Sequence, residues 1–262
     1  MITVDKEAMN EMIARNKRLD SRELDQFREI KVEAGVISSA EGSSRVCIGK
    51  TEVIAGVKMD LAEPFPDSKD EGVLMVNAEF VPLAFEKFET GPPSDESIEL
   101  ARVVDRTIRE SQILDMKKLC IKQGEKVWTI FIDIDIIDHD GNLIDAATLA
   151  SVQALLNTRM PKMNKETYEI DYKTKESPLP INGMPVSLSF VKISGKILID
   201  PSLQEEDSMD ARFTVGVFEQ NSETKFCAMQ KGGTGGFTME ELDMMLDIAE
   251  EKSRELRNVI KE

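Results

Sequence analysis

Val127-Trp-Thr-Ile-Phe-Ile-Asp-Ile-Asp-Ile-Ile-Asp138, then His139-Asp140-Gly141-Asn142, then Leu143-Ile-Asp-Ala-Ala-Thr-Leu-Ala-Ser-Val-Gln-Ala-Leu-Leu156: this run decides how the rest of the chain is read. Trp128, Ile130, Ile132, Ile134 and Ile136 alternate onto one face of a strand, with Thr129, Phe131, Asp133 and Asp135 on the other. The segment after the turn has apolar residues on every side, so its helix belongs inside the protein. A strand that turns through Gly into a buried helix presents backbone N–H groups and a positive dipole end, where proteins commonly hold phosphate. Here Asp138, Asp140 and Asp145 stand at that turn with no Lys or Arg among them. An arriving phosphate would meet carboxylates, so the stretch has the shape of a phosphate site and the opposite charge.

Around this stretch, 262 residues with 41% hydrophobic content can form a substantial core, and 5% aromatics leaves aliphatics and Met to fill it. Against 49 Asp and Glu there are 33 Lys and Arg, a net charge of -16 that excludes a generally basic, nucleic-acid-coating surface. Any RNA contact must be a local patch. High charge with few aromatics also marks disorder, which the long periodic apolar segments exclude. Cys47, Cys120 and Cys227 have no zinc-motif spacing and read as reduced thiols. The single His139 sits in a turn and receives no role. No stretch has transmembrane length and the N-terminus lacks a signal peptide's apolar centre, so a soluble cytoplasmic protein is expected.

Residues 6–17 read as an amphipathic helix with Ala8, Met9, Met12 and Ile13 on one side. Strands at 27–37, 43–48 and 51–61 form an antiparallel meander, and 73–83 returns as another strand. Gly91-Pro92-Pro93-Ser94 ends in a cap for a helix reaching about Leu114, with Leu100, Val104 and Ile108 inward. Residues 161–185 read as a short strand and long connections. Strands at 186–193, 196–200, 212–218 and 224–229 follow, and Thr238 opens a closing helix to 262. The expectation is an α+β fold, one domain over 1–262, with two strand-rich layers around central helices and the second strand cluster starting near 186.

Arg102, Arg106 and Arg109 share one stripe of the Ser94 helix, at i, i+4 and i+7. Glu99 before Arg102 and Asp105 before Arg109 could turn the stripe into intrahelical ion pairs on a solvated face; the preference for Arg suits phosphate oxygens instead. Asp200 and Glu205-Glu206-Asp207-Ser208-Met209-Asp210 could hold a divalent metal, but they read better as an acidic surface loop. Lys231-Gly232-Gly233-Thr234-Gly235-Gly236 lacks the Gly-Lys-Ser/Thr ending of a P-loop and reads as a tight strand-to-helix connection.

In order, Arg18-Leu19-Asp20-Ser21-Arg22, Ala40-Glu41-Gly42-Ser43-Ser44, Gly49-Lys50-Thr51-Glu52-Val53, the Arg-bearing helix, and Asp140-Gly141 entering Ala146-Ala147 resemble the RNase PH family over nearly the whole chain. That family comprises phosphorolytic 3′ to 5′ exoribonucleases and inactive relatives. Pro92-Pro93-Ser94-Asp95-Glu96 and Glu99-Leu100-Ala101-Arg102-Val103-Val104-Asp105-Arg106 look most like its non-catalytic ring subunit of the archaeal exosome.

Active members carry Asp-Gly-Gly-Thr-Arg-Thr at the turn, where Arg and hydroxyl hold the attacking phosphate. Here Ile144 stands in the Arg position and Asp145 replaces the hydroxyl. Active members also place a catalytic Asp six residues after Glu-Glu-Asp; Glu205-Glu206-Asp207 is kept, but that position is Phe213, or Arg212 with a one-residue gap. The resemblance therefore implies a chain with no catalytic residue, metal or cofactor. It implies pairing with a catalytic RNase PH-like subunit in a hexameric ring of three heterodimers under RNA-binding cap subunits. Arg102 and Arg106 would hold single-stranded RNA beside the partner's active site, with no role carried to Arg109. Ser21 departs from the usual Gly and weakens an RNA role for Arg22. The competing expectation is a metal-dependent hydrolytic ribonuclease using Asp200, Asp207 and Asp210.

Overall fold

The computed structural model describes residues 5–220 and 223–261. Asp5 Oδ1 accepts from the Ala8 N–H and starts α1 (Lys6–Ala14), which buries Met9 and Ile13 and leaves Ala8 exposed. The helix stops three residues before the expected Lys17, because the chain turns at Asn16 with φ +56°. Strands β1 (Ile30–Ala34), β2 (Gly42–Ile48), β3 (Thr51–Ala62) and β4 (Val73–Phe80) follow. Ser94 caps α2 (Asp95–Glu110), and Gln112 at φ +52° ends it before Leu114.

A short 3-10 turn (Met116–Leu119) leads through β5 (Cys120–Lys122) to β6 (Lys126–Asp138) and α3 (Leu143–Leu156). Next come β7 (Arg159–Met163), β8 (Ile170–Pro178), β9 (Val186–Ile193) and β10 (Lys196–Ile199). The chain closes with α4 (Leu203–Ser208), β11 (Ala211–Gln220), β12 (Glu223–Gly233) and α5 (Met239–Lys261). Thr238 and Glu241 exchange a capping box at the start of α5; Glu262, the last residue of the expected closing helix, lies outside the described residues.

One sheet runs β1-β2-β3-β6-β4, with β5 pairing the end of β6; the other runs β10-β9-β11-β12. The expected β1-β2-β3 meander is present, and β6 then inserts between β3, which it meets antiparallel, and β4, which it meets parallel. The β4-α2-β6 crossover makes that parallel pair possible. On β6 the alternation predicts the burial: Trp128, Ile130, Ile132, Ile134 and Ile136 are buried, whereas Asp133 is exposed. Helix α3 packs against β2 and β3 on one side and β9 on the other, so it is buried on all faces apart from its end at Leu156. Helix α2 bridges β4 and β12, and α5 covers β9 and β11. This is the two-layer α+β arrangement around central helices, and one apolar cluster reaches from Val46 to Ile260.

Strand β1 is shorter than the expected 27–37, and two further segments differ from expectation. Residues 159–178 form the β7-β8 hairpin, whose second strand is exposed from Asp171 to Pro178 and so shows no apolar alternation. The acidic loop at 205–210 is largely helix α4, set by a Ser202–Glu205 capping box. The Gly-rich segment after β12 is the expected tight connection. A Cβ at Gly233 or Gly235 would come within 2.8 Å of the Asp210 carbonyl. No helix among the described residues is long and apolar enough to cross a membrane.

Candidate functional site

The turn between β6 and α3 is pinned by two side chains, Thr51 from β3 and Arg28 from the segment that leads into β1. Thr51 Oγ1 accepts from the Asp140 N–H at 3.1 Å and donates to the Gly141 carbonyl at 2.6 Å. Arg28 Nη1 donates to the Asp140 carbonyl at 2.6 Å, while Nε and Nη2 grip the Asp200 carboxylate at 2.9 and 2.7 Å. Gly141 has φ +88°, and an added Cβ would come within 2.5 Å of the backbone that opens α4. Both torsion and space demand glycine there.

Asn142 enters α3 at φ +56° without capping it by its side chain. Its N–H donates to Glu206 Oε1 at 2.9 Å. The helix entrance, where a phosphate would bind, thus holds the chain's own carboxylate. Burial pushes the Glu206 carboxyl up to about 7, against the lowering by the Asn142 N–H and by Arg212 and Arg28. Asp145 lies beside the Asn142 side chain and is held by β9. Its fully buried carboxyl accepts from Ser187 Oγ at 2.9 Å and from Ser189 N–H and Oγ at 2.9 and 3.0 Å, and burial pushes it up to about 7. Beyond the expected carboxylates at the turn, the one that occupies the Asn142 N–H is Glu206, delivered by the short helix that the sequence pattern hid.

Beside this entrance lies a cavity of ≈ 390 Å³, walled by Phe85, Phe88, His139, Ile144, Glu206 and Arg212. His139 stacks on Phe88 with centroids 5.5 Å apart and meets Phe85 edge-on at 5.2 Å. Burial lowers its pKa to about 4, and Nδ1 accepts from the Gly141 N–H at 3.3 Å, so the ring is neutral. Of the two residues left open on β11, Arg212 lines the cavity and donates to Glu99 at 2.6 Å. Phe213 packs in the core near Phe190 and Phe237, as strand alternation requires.

Asp200 is a structural anchor. Its oxygens take Arg28, Arg22 Nη1 at 2.8 Å and Asn142 Nδ2 at 2.8 Å. Burial alone would raise its pKa, yet the Arg28 hydrogen bonds and charge, with Arg22, hold it below the usual carboxylate range. The hydrolytic expectation fails here, because Asp200 has no free oxygen to offer and no three acidic, His or Cys residues among the described residues are grouped to hold a metal ion. Arg18 forks onto Glu205 at 2.8 and 2.7 Å, and Arg22 bonds Asp20 at 2.6 Å. Between them Ser21 adopts φ +64°.

Domain 1 of the 3′ exoribonuclease family model (RNase PH) matches residues 26–161, and its domain 2 matches 183–252. The chain belongs to the 3′ exoribonuclease family. Among relatives, Exosome complex component Rrp42 of Methanothermobacter thermautotrophicus is 48% identical over 97% of this chain and 93% of its own. The protein of the same name from Thermococcus kodakarensis is 44% identical over 99% and 95%. A chain of the Archaeoglobus fulgidus exosome with RNA bound to the active site superposes with TM-score 0.89 at 42% identity, covering 97% of this chain and 96% of that one. A chain of an archaeal exosome core gives TM-score 0.85 at 39% identity, covering 98% and 96%.

For a member of the 3′ exoribonuclease family, the positive φ at Ser21 explains why Gly is usual there. The stripe on α2 divides. Arg109 bonds Asp105 at 2.6 Å and the Leu74 carbonyl at 3.1 Å, tying the helix to β4. Glu99 does not pair with Arg102; it takes Arg212 and Gln230. Arg102 and Arg106 are exposed and have no hydrogen bond or ion pair among the described residues. Glu206 and Arg212 stand out in the sequence without the places they take here, and the Phe85–Phe88 pair was missed. The Ser202-x-x-Glu205 capping box and the alternation of β11 are the signals that would have found the first two.

Proposed function

We propose that this chain is a non-catalytic subunit of an archaeal-type exosome, an assembly that degrades RNA from its 3′ end. The observation that carries this reading is the Glu206 carboxylate on the Asn142 N–H, with Ile144 in the cavity wall. A phosphate nucleophile would find that N–H already taken, at the place where active relatives hold it. Arg212, which lines the same cavity, is committed to Glu99. In this reading the chain pairs with a catalytic RNase PH-like subunit in a hexameric ring of three heterodimers beneath RNA-binding caps. Arg102 and Arg106 grip the phosphates of single-stranded RNA beside the partner's active site. The apolar cluster continuous from Val46 to Ile260 supports treating residues 1–262 as one domain.

The test is incubation of the purified chain with labelled oligoadenylate, phosphate and Mg²⁺. No shortening is expected alone, and degradation should appear once the catalytic subunit is added and a hexamer forms in native mass spectrometry. Shortening by the isolated chain that survives removal of contaminating nucleases would overturn the reading.

A further inference from the structure

We propose that the ≈ 390 Å³ cavity beside α3 binds an uncharged nucleobase and excludes phosphate. Its walls favour a flat ring. Phe85, Phe88 and the neutral His139 stand within 5.2–5.5 Å of one another, and aromatic faces hold bases by stacking whatever their sequence. Its polar groups favour a ligand with both a donor and an acceptor. Asn142 Oδ1 and Arg212 Nε belong to lining residues, are buried, and have no hydrogen-bond partner. Unpaired buried polar atoms are uncommon in folded proteins, and one acceptor and one donor among the residues of a single cavity suit the edge of a base.

A purely cationic ligand would leave the Arg212 donor unanswered, and an anion would leave the Asn142 acceptor unanswered. Charge makes the same choice against phosphate, since Glu96, Glu99, Glu206 and Asp207 line the cavity against Lys87 and a paired Arg212. The volume falls in the usual range for small-ligand sites. A second groove of ≈ 560 Å³ shares Phe80, Lys87, Phe88 and Glu96, which leaves room for the sugar. The proposal rests on the exosome reading only for the base's origin, an RNA strand or a free nucleoside.

Full-length protein would be titrated with adenosine by saturation-transfer NMR, with adenosine 5′-monophosphate, inorganic phosphate, spermidine and a short oligoadenylate as competitors. Adenosine should bind saturably and about tenfold more tightly than its monophosphate, with no displacement by phosphate or spermidine. Phe88→Ala should weaken adenosine roughly tenfold. Arg212→Lys, which keeps a cation for Glu99 but lacks the Nε donor, should weaken it as well, so one folding failure does not end the test. Competition by oligoadenylate assigns the base to an RNA strand, and lack of competition assigns it to free nucleosides. Absence of saturable binding, displacement by phosphate or spermidine, or parental affinity in both folded variants would overturn the proposal. Replacing Arg102 and Arg106 by Ala should leave adenosine binding unchanged, which separates this site from the proposed RNA grip.

Discussion

Arg18, Arg22 and Arg28 have side chains 0%, 9% and 8% exposed, each forked onto carboxylates or carbonyls; Arg102 and Arg106 lie open to solvent with no partner among the described residues. Residue type does not separate these groups, because all five are guanidinium groups in a chain of net charge -16. Access to carboxylates does. The N-terminal three reach Asp200 and Glu205, while on α2 Glu99 is taken by Arg212 and Asp105 by Arg109, and Arg102 and Arg106 pair with no acid among the described residues. In the proposed function, these unpaired cations meet RNA phosphates.

The sharpest way to break this comparison is Arg28→Ala, which leaves Asp200 buried with one of its two guanidinium partners gone. A loss of about 3–5 kcal/mol is expected, read by chemical denaturation. A loss below about 1 kcal/mol would make the N-terminal arginines as dispensable as a surface pair. The converse is Arg102→Ala with Arg106→Ala in the assembled complex. Folding should hold, RNA affinity should fall roughly tenfold at low salt, and the salt slope should drop by about 1.4, since about 0.7 is lost per phosphate contact to a single strand. Unchanged binding across a salt series would reduce the α2 pair to a solvated face.

Acidity sharpens the contrast further. Asp145 and Glu206 have folded pKa values raised to about 7, so each carries an extra proton in the folded state between the unfolded carboxyl value near 4 and pH 7. Their contribution is complete below that unfolded value and is lost as pH rises through about 7. The melting temperature should therefore be higher at pH 5.5 than at pH 8, and Asp145→Asn with Glu206→Gln should flatten the profile. Asp200 has the opposite sign. Its lowered pKa gives stability above about 4 that disappears as pH falls through the folded value, so acid unfolding should begin with the Arg28 anchor. The smallest effect is expected at Ser21→Gly, which relieves a left-handed backbone and should add up to about 1 kcal/mol in thermal unfolding.

Legibility followed the range over which each determinant acts. The β6-turn-α3 run could be read because strand alternation and an all-apolar helix are local patterns, and so could the Ser94 cap and the inward row Leu100, Val104 and Ile108. The resemblance that sets Ile144 at the phosphate Arg position of active members was equally local. Helix α4 escaped because six residues are too few to show a helical period, and an acidic string resembles a solvated loop. The insertion of β6 between β3 and β4 and the pairing of Arg18 with Glu205 join distant segments, which no window of sequence contains. Glu99 illustrates the same limit. Its neighbour at helical spacing was Arg102, but its bond goes across the fold to Arg212.

The arginine anchor also sets an order of events during synthesis. Arg18 waits for a partner 187 residues later and Arg28 for one 172 residues later, whereas the strands of the first sheet are complete by Asp138. At about 5–20 residues per second, roughly 10–40 s pass on the ribosome before Asp200 and Glu205 emerge. During that interval the nascent chain carries Arg18 and Arg28 without their carboxylate mates, Arg22 having Asp20 beside it, and a first sheet whose turn at Gly141 lacks its α4 backing. Later steps of translation therefore close an earlier segment, and a ribosome stalled before Asp200 would hold a chain whose first sheet is complete yet whose Arg18 and Arg28 are unlatched.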